Sequence, residues 1–509
     1  MRSKSVLLSE KLKTKKLFES VKDKCERIFE TKQNVDHFEE VIALLEQNEE
    51  SSIIAQRAIV KVFIRFLQAK EFTKNANKEF RDKLKHYYNS TKNELLRIIK
   101  SEQSDEAIQL CVLNLMKLLS NEGKYPIEDV KHSYFPFEFL KSIIAAILRE
   151  DRDMSAIIAK FDEYVEYDDV KHSTLKSLLF LLKEKNGDTS DVTELFMHNV
   201  FNLLSSIRLP ILGKIKRKRK GQKISSENES NLLCEPLDVE LPKFKLEYEK
   251  AADLFASVWL QFISLKMPTK LYRNILMILD DHVMPHFRNP LSLSDFLINS
   301  FNVGGSVSIL ALSSLFILIQ KCNLEYPDFY TQVYSLFEPN ILHVKYRARF
   351  FFWSDVFLSS THLPEYLVAA FIKRLSRMAL VANVDALMII IPFIVNLFVR
   401  HPNLSILMNR SDKQSVIDDP FDNEEKDPLK TNALESSLWE MKTLQSHWHP
   451  KVAKMASFIN KPLPEKENDL SEILETYFED VLNEELVKEL NGDLIIDNKV
   501  KKTLLEFWK

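Results

Sequence analysis

The scarcity of glycine is the feature that most constrains this fold. The chain has 509 residues but only seven glycines, whereas an average content near 7% would supply roughly thirty-five. Glycine serves positions with positive φ and close backbone approach, so few hairpins, phosphate loops or bulges can be built. We therefore predict long helices joined by turns that use Asn, Asp and the 18 prolines.

Apolar periodicity predicts that these helices come in pairs. Within 41–67, residues such as Ile59, Phe63 and Phe66 recur at helical spacing, and the polar stretch "EQNEESS" divides the segment into two helices. The same unit recurs at 103–119 with 126–148, at 154–165 with 170–185, and at 306–321 with 327–337. The sequence has no alternating strand pattern. The predicted fold is all-α, an α-solenoid of HEAT/armadillo-like helical hairpins.

Charge is segregated along the chain although the net charge is only -3. The stretch "KIKRKRKGQK" holds seven cations in ten residues, and "DDPFDNEEKD" holds six acids. Both are typical of solvated linkers. The resulting blocks are an N-terminal helical repeat block 1–210, a basic then acidic linker 211–246, central helical repeats 247–411, an acidic linker 412–430 and C-terminal helices 431–509.

Cysteine usage and the first residues indicate a reducing compartment inside the cell. Cys25, Cys111, Cys234 and Cys322 lie far apart and form no CxxC pair, which disfavours a disulfide framework or a zinc ribbon. The first twenty residues contain several lysines and no long apolar segment, so no secretion signal is expected.

Two apolar runs, 306–319 and 386–399, raise the question of a membrane. Each has about fourteen residues, short of the roughly twenty that span a bilayer, and the second contains Pro392 and Asn396. We predict two buried helices and disfavour a membrane, although hydropathy alone would let both runs pass for membrane spans.

The sequence shows none of the motifs that carry common enzyme chemistry. P-loop, nucleophile-elbow and dinucleotide-binding glycine patterns are missing. His282 and His286 have a metal-like spacing, but Val283 stands where a zincin has glutamate and Pro285 disrupts a helix. We predict structural roles for both histidines, no catalytic residue, no metal, no cofactor and no small-molecule substrate. The chain is therefore not predicted to be an enzyme.

The stretch "SHWHP" at 446–450 carries two histidines two residues apart. On a helix such side chains would point in different directions, and Pro450 indicates a turn. We interpret His447 and His449 as packing or surface residues.

The basic run has two physical interpretations, a nuclear-import peptide in an exposed linker or an arm that binds phosphates nonspecifically. Import is favoured over a plain solvated loop, because the run is dense and contains no acid. The nuclear-import candidates are Lys214, Lys216, Arg217, Lys218, Arg219 and Lys220.

A second basic feature is "LHVKYRARFFFW" at 342–353, which sets cations against aromatic rings. Such a mixture can mark a nucleic-acid surface or a buried helix with cations at its edge. As a helix from 344, the segment places Lys345 and Arg349 on one flank. Its predicted apolar stripe comprises Tyr346, Phe350, Trp353 and Phe357. The rings are thus expected inside and the cations outside.

The helix predicted at 365–380 repeats this arrangement. Its buried stripe is predicted to comprise Leu367, Phe371, Leu375 and Met378, while Lys373 and Arg377 share an exposed face beside Arg374. If the two helices are hairpin partners that turn at "SSTHLPE", their cations form one basic patch for RNA phosphate or for an acidic protein segment. A solvated edge without a ligand stays an alternative. The candidate binding residues are Lys345, Arg347, Arg349, Lys373, Arg374 and Arg377.

Four segments closely resemble the CCAAT-binding-factor domain family. They are "NLEYPDFYTQVYSLFEPNILHVKYRARFFFWSDVFLSSTHLPEYLVAAFIKRLSRMAL" at 323–380, "RHP" at 400–402, "DPFDNEEKDP" at 419–428 and "ALESSLWEMKTLQSHWHP" at 433–450. The resemblance covers roughly 300–460. It implies a non-enzymatic assembly factor of the nucleolus, inside the nucleus. It further implies a nucleolar protein 14 type partner in the small-subunit processome, contacts with pre-ribosomal particle proteins and pre-rRNA, and a role in pre-rRNA processing and small-subunit assembly or export.

The alternative function is a nuclear, transcription-related DNA-binding protein, which the historical name of the family suggests. Such a protein needs an element that reads base edges. The sequence offers no zinc finger, basic zipper or persuasive helix-turn-helix, so the assembly factor is the favoured prediction.

Overall fold

The computed structural model describes nine segments and a few isolated residues. The segments are 37–45, 49–73, 78–101, 104–128, 134–187, 192–210, 231–235, 244–409 and 419–475, and the isolated residues are 19, 21, 23, 24, 479, 480 and 483. Across these residues the regular secondary structure is helical and no strand occurs. The all-α prediction is confirmed.

The chain divides into two compact units, Met1–Leu297 and Ile298–Lys509. This division falls within the predicted central block 247–411. The five blocks drawn from charge and composition stay predictions.

The first unit is a two-layered stack of helices. Its helices are α1 (His37–Leu45), α2 (Glu49–Gln68), α3 (Lys78–Ile99), α4 (Asp105–Lys124), α5 (Phe137–Ile147), α6 (Ser155–Val165), α7 (Asp168–Gly187), α8 (Glu194–Ser206), α9 (Tyr248–Ile263) and α10 (Thr269–Ile278). The odd-numbered helices α1 to α9 pack each on the next odd one, and the even-numbered helices α2 to α10 do the same. This is the packing of an α-solenoid, in which each hairpin buries its apolar face only against its neighbours. The predicted architecture is confirmed in this unit.

Helix α4 shows why the sequence forms these elements. The Ser104 hydroxyl caps its N-terminus by accepting the Ala107 N–H at 3.3 Å, and Asp105 and Glu106 follow in the first turn. The cap and the two acids match the orphan amides and the positive end of the helix dipole. Apolar residues at helical spacing, including Ile108 and Leu115, are fully buried, so the stack is held by apolar burial.

Part of the predicted linker 211–246 lies against this stack. The Asp169 carboxylate accepts the backbone N–H groups of Leu233 at 3.1 Å and Cys234 at 2.9 Å. Asp169 is buried at the start of α7, and these amides satisfy a carboxylate that would otherwise be costly to bury. Residues 231–235 of the predicted linker are therefore held against the stack by the buried carboxylate.

A glycine makes room for the same segment. A Cβ built on Gly123 of α4 would lie 2.3 Å from the Cys234 sulfur, closer than non-bonded atoms approach. The Cys234 side chain therefore occupies the space that a larger residue at position 123 would fill. Here one of the few glycines permits the close approach of two segments.

The second unit is a cluster of helices around one apolar helix. Its helices are α11 (Ser294–Asn302, which begins just before the division), α12 (Gly305–Cys322), α13 (Phe329–Ser335), α14 (Arg347–Phe357), α15 (Glu365–Ala379), α16 (Val384–Arg400), α17 (Trp439–Leu444), α18 (Pro450–Ala456) and α19 (Ser471–Leu474). Helix α16 packs against α15, α18 and α19, and α14 packs against α12 and α19.

The two apolar runs form α12 and α16. Residues 384–398 of α16 are all buried within the protein, as predicted. Gly304, with φ of +89°, opens α12 in a conformation that other residues rarely adopt. Among the described residues, α12 is the one helix whose length and composition would allow a membrane crossing, and 56% of its 18 residues are buried inside the protein.

His286 has the structural role that its sequence context predicts. It lies in a short 3-10 turn after a π-helical turn at Leu279–Val283, so the helix face assumed for a metal pair does not form. Its Nδ1 shares a hydrogen bond of 3.0 Å with the Tyr248 hydroxyl. Burial, followed by the nearby His282, lowers its pKa and favours the neutral ring.

Candidate functional site

The rings of the predicted aromatic stretch lie largely inside the second unit. Phe350, Phe351 and Phe357 of α14 are buried, while Trp353 is half-buried. Phe337 lies between two helices, with its ring centroid 4.8 Å from Phe350 of α14 and 5.2 Å from Phe371 of α15. The expectation that these rings are core is therefore confirmed for Phe350 and Phe357, while Tyr346 and Trp353 of the predicted stripe are half-buried.

Arg347 does not lie on the surface as the patch hypothesis requires. It is buried at the first turn of α14, where Nη1 lies 2.5 Å from the Asp385 carboxylate of α16 and donates to the Leu342 carbonyl at 3.3 Å. A guanidinium at a helix N-terminus faces an unfavourable dipole, and the acidic partner compensates for it. Its predicted exposure is wrong, because Asp385 holds it inside.

The largest departure from the sequence prediction is Lys373. Its side chain has 0% exposure, and its ammonium lies 2.6 Å from Glu440 Oε1 and 3.1 Å from Asp419 Oδ2. The ammonium also donates to the Ser437 carbonyl at 2.8 Å. A buried ammonium is tolerated only with such partners. The face of α15 predicted to be exposed is thus covered.

The segment that covers it is 419–438, here called the strap. It includes most of the stretch predicted as a solvated acidic linker, 412–430, and its turns at Pro428–Lys430 and Ala433–Glu435 pack on α15. That prediction is wrong where the strap packs on α15, because Asp419 pairs with Lys373 and Arg377 of that helix, whereas Asp422 and Glu424 are exposed. Residues 412–418 lie outside the described part of the chain.

Arg374 and Arg377 also bind the strap and its surroundings. Arg377 contacts Asp419 at 2.8 Å and Glu440 at 3.1 Å, and its guanidinium lies 4.6 Å from the Trp439 ring centroid. Arg374 donates to the Phe337 carbonyl at 2.9 Å and to the Asn423 carbonyl. Both arginines therefore serve the internal packing of the unit, and the sequence alone did not indicate these partners.

The pKa values of the two acids in this network shift in opposite directions. Burial tends to raise the pKa of Asp419, but hydrogen bonds from Ser436 and Trp439 and the charge of Lys373 outweigh it and hold that pKa at about 2. For Glu440, burial is the largest effect and raises the pKa, with Lys373 opposing the rise. Asp419 is thus the firmly ionised partner of the two cations.

Two of the six cations are left outside: Lys345 lies in the turn before α14, and Arg349 lies on the helix, which begins at Arg347 rather than at 344. Lys345 is exposed, Arg349 is partly exposed and donates to the Ser313 hydroxyl at 3.2 Å, and Phe352 is 53% exposed. Arg349 and Phe352 lie three positions apart on α14, and together with Lys345 in the preceding turn they are called the α14 flank. Phe352 was not singled out in the sequence, although its place three residues after Arg349, off the buried stripe, is the signal that would have found it.

The six predicted cations do not form a single patch. Helix α15 packs against α16, and no close pairing with α14 is found among the described helices. Two exposed or partly exposed cations, Lys345 and Arg349, remain as binding candidates. The import candidates 214–220 lie outside the described residues, and their role stays a prediction.

Within the described residues, no group of three or more His, Cys, Asp or Glu side chains could hold a metal ion. The geometry presents a stack of helical hairpins and, on α14, an exposed ring three residues after the partly exposed Arg349. The stacked hairpins define a helical-repeat protein.

Comparison with known proteins shows the family. The sequence pattern described as "Nucleolar complex protein 4-like, TPR repeats" matches residues 16–187, and that of the CBF/Mak21 family matches 308–456. The chain is 36% identical to the nucleolar complex protein 4 homolog of Danio rerio, over 92% of this chain and 90% of the relative. For the Homo sapiens homolog the identity is 38%, over 82% and 78%. For nucleolar complex protein 4 of Saccharomyces cerevisiae it is 32%, over 79% and 76%.

The chain belongs to the nucleolar complex protein 4 family. The resemblance found over 300–460 is thereby confirmed, and membership implies a nucleolar location and fits ribosome biogenesis. The sequence offered no recognisable motif in the region matched by the TPR pattern. TPR, HEAT and armadillo repeats share stacked helices, and periodicity reveals the helices more readily than the repeat type.

Proposed function

We propose that this protein is a non-enzymatic assembly factor of the small-subunit processome. It acts as a scaffold for pre-rRNA processing and for small ribosomal subunit biogenesis and export, through a nucleolar protein 14 type partner. Family membership over both units supports the nucleolar setting. The stacked hairpins of the first unit support the scaffold role, since such stacks present extended surfaces for binding.

The observation that carries the docking role is the α14 flank. A phenylalanine with 53% of its surface exposed, three residues after Arg349 on α14, has the composition of an interface anchor beside a polar rim. The partner is expected to cover Phe352 and to place acidic groups near the two cations. Lys373 and Arg347, which are buried and paired within the chain, have no part in this docking.

The test is affinity purification of tagged protein from nuclear extract, with and without ribonuclease. We expect one stoichiometric partner that survives ribonuclease and small-subunit precursor RNA that is lost. Phe352→Asp is expected to reduce recovery of the partner at least tenfold. Phe180→Asp is the matched control, because Phe180 of α7 is also 53% exposed, and it should leave recovery unchanged.

Two results would count against the proposal. Recovery of promoter DNA without precursor RNA would favour the transcription-related alternative. Equal loss of partner in both phenylalanine variants would show that exposed rings in general, rather than the α14 flank, govern recovery.

Import is tested separately in cells. Alanine at Lys214, Lys216, Arg217, Lys218, Arg219 and Lys220 is expected to leave a fluorescently tagged protein in the cytoplasm when its partner is depleted. Nuclear accumulation of that variant would remove the import role from the basic run.

A further inference from the structure

A second basic surface lies in a part of the chain that the docking role does not use. Between Glu440 and Glu465 the sequence "MKTLQSHWHPKVAKMASFINKPLP" contains four lysines and two histidines and no acid. It forms α17, the turn at 445–449, α18 and the 3-10 turn Ser457–Asn460. Positive charge is therefore concentrated on one short helical hairpin.

Hydrogen bonds hold this hairpin together. The Gln445 side chain donates to the Ala456 carbonyl at 3.3 Å and accepts from the Asn460 side chain at 3.2 Å. Helix α17 packs against both α18 and the following 3-10 turn. With six and seven residues, the two helices are only about 10 Å long. Groups on the hairpin therefore lie within reach of a few consecutive nucleotides.

Trp448 projects from the turn between the two helices. It is 78% exposed, the largest exposure of any large apolar side chain in the described residues. The turn is structured, because the His449 N–H donates to His447 Nδ1 at 3.1 Å and His449 itself is buried. The flanking imidazole rings lie 5.5 and 5.4 Å from the indole. A hydrogen-bonded turn thus holds the indole ring of Trp448 in solvent.

The lysines of this hairpin and the lysine that follows it differ from Lys373. Lys442, Lys454 and Lys461 are exposed, and none of them forms an ion pair with a carboxylate in the described part of the chain. Their charge is available to an outside anion. The group formed by Trp448 with these three lysines is called the tryptophan surface.

We propose that the tryptophan surface binds single-stranded RNA, with a base stacked on Trp448 and phosphates on Lys442, Lys454 and Lys461. Stacking on an open ring combined with cations that track the backbone is the usual means of binding single strands. An anchor in a protein partner instead sits in a packed pocket, and the exposed neighbours Thr443 and Ser446 are polar. The inference rests on the proposed function, since it names the RNA contact of the same scaffold.

The test uses full-length protein in which the six import candidates at 214–220 are changed to glutamine, which removes nonspecific binding by that run. The probe is a fluorescein-labelled single-stranded RNA of 20 nucleotides and mixed sequence, followed by anisotropy. Trp448→Ala is expected to weaken binding about tenfold or more, and Trp448→Phe to retain most of it, because every aromatic face stacks.

The lysines are tested through the salt dependence. Changing Lys442, Lys454 and Lys461 together to glutamine should make the plot of log affinity against log salt less steep, reducing the size of its negative slope by about two. Each phosphate contact on a single strand contributes roughly 0.7 to that slope. The matched control changes three other exposed lysines, Lys266, Lys270 and Lys321, to glutamine. It removes the same net charge and should leave the slope nearly unchanged.

Several outcomes would overturn the proposal. Unchanged affinity in Trp448→Ala, equal affinity for duplex RNA, or equal slopes in both lysine variants would each exclude a stacked single strand. Tighter binding of a poly-glutamate peptide than of RNA would assign the surface to an acidic protein. Recovery of the processome partner by Trp448→Ala, measured by the purification above, reports on the scaffold role independently.

Discussion

Helix α15 with its strap and the α17–α18 hairpin use lysine in opposite ways. On α15, Lys373 is fully buried between Asp419 and Glu440. On the hairpin, Lys442 and Lys454 face solvent. Both regions are rich in basic residues in the sequence. The difference lies in where the acids are, because Asp419 of the strap and Glu440 of α17 face α15, while no acid occurs between Glu440 and Glu465.

A single helix shows both situations. Glu440 and Lys442 are two residues apart on α17, so their side chains leave the helix in different directions. Glu440 is buried against Lys373, while Lys442 is exposed. Availability for a ligand is therefore set by tertiary neighbours rather than by residue type.

The largest loss of stability, and the strongest test of this comparison, is expected from Lys373→Met. Removing the ammonium leaves Glu440 buried without its main partner, and losing one member of a buried ion pair costs about 3–5 kcal/mol. Lys442→Met, which removes an exposed charge, is expected to change stability by less than about 0.5 kcal/mol. Chemical denaturation of both variants measures the difference.

A companion variant makes this prediction specific. Lys373→Met combined with Glu440→Leu replaces the buried charges with apolar groups, and such replacements recover much of the lost stability. Similar loss in the single and double variants would mean that the charge pair is not the origin of the effect.

The packing of segment 231–235 against the helices of the first unit offers a second test of how tertiary contacts hold a segment in place. Gly123→Ala places a Cβ where the Cys234 sulfur lies, so we expect a loss of about 1–3 kcal/mol from overpacking. Faster hydrogen exchange at Leu233 and Cys234 would show that the segment has been displaced. Gly187→Ala is the control, because a Cβ there meets nothing within 4 Å. Equal effects at both positions would contradict this account.

The acid side of the strap predicts a pH dependence. The pKa of Asp419 is about 2 in the folded protein, below the ordinary value near 3.9, so its stabilising contribution is present above about pH 4 and is lost as the pH falls towards 2. That contribution is on the order of 2 kcal/mol. Asp419→Asn should be less stable than the wild type at pH 5 and equal to it near pH 2, as measured by denaturation. A constant gap would refute the linkage.

The smallest effect on stability is expected from variants of the tryptophan surface, which test the solvent-facing half of the comparison. Trp448→Ala, together with glutamine at Lys442, Lys454 and Lys461, is expected to change the free energy of unfolding by less than about 0.5 kcal/mol, since exposed side chains contribute little. Thermal unfolding provides the measurement. A loss of several kcal/mol would mean that these side chains are structural and not reserved for a ligand.

Much of the fold was predictable because its causes are local. Helical spacing correctly placed the hairpins at 41–67 and 154–185 and the buried stripe from Leu367 to Met378. The candidate site was predictable only in part. Lys345 and Arg349 lie at the surface, whereas Arg347 is buried by Asp385 from another helix.

The sequence by itself determined that this protein is helical, that its helices are paired and which family it resembles, because periodicity, capping and glycine content act within a few residues. Only the tertiary structure decided which cations are buried. The partners of Lys373 lie 46 and 67 residues further along the chain, and no local pattern encodes such a distance. The same long-range packing left Trp448 and its lysines facing solvent.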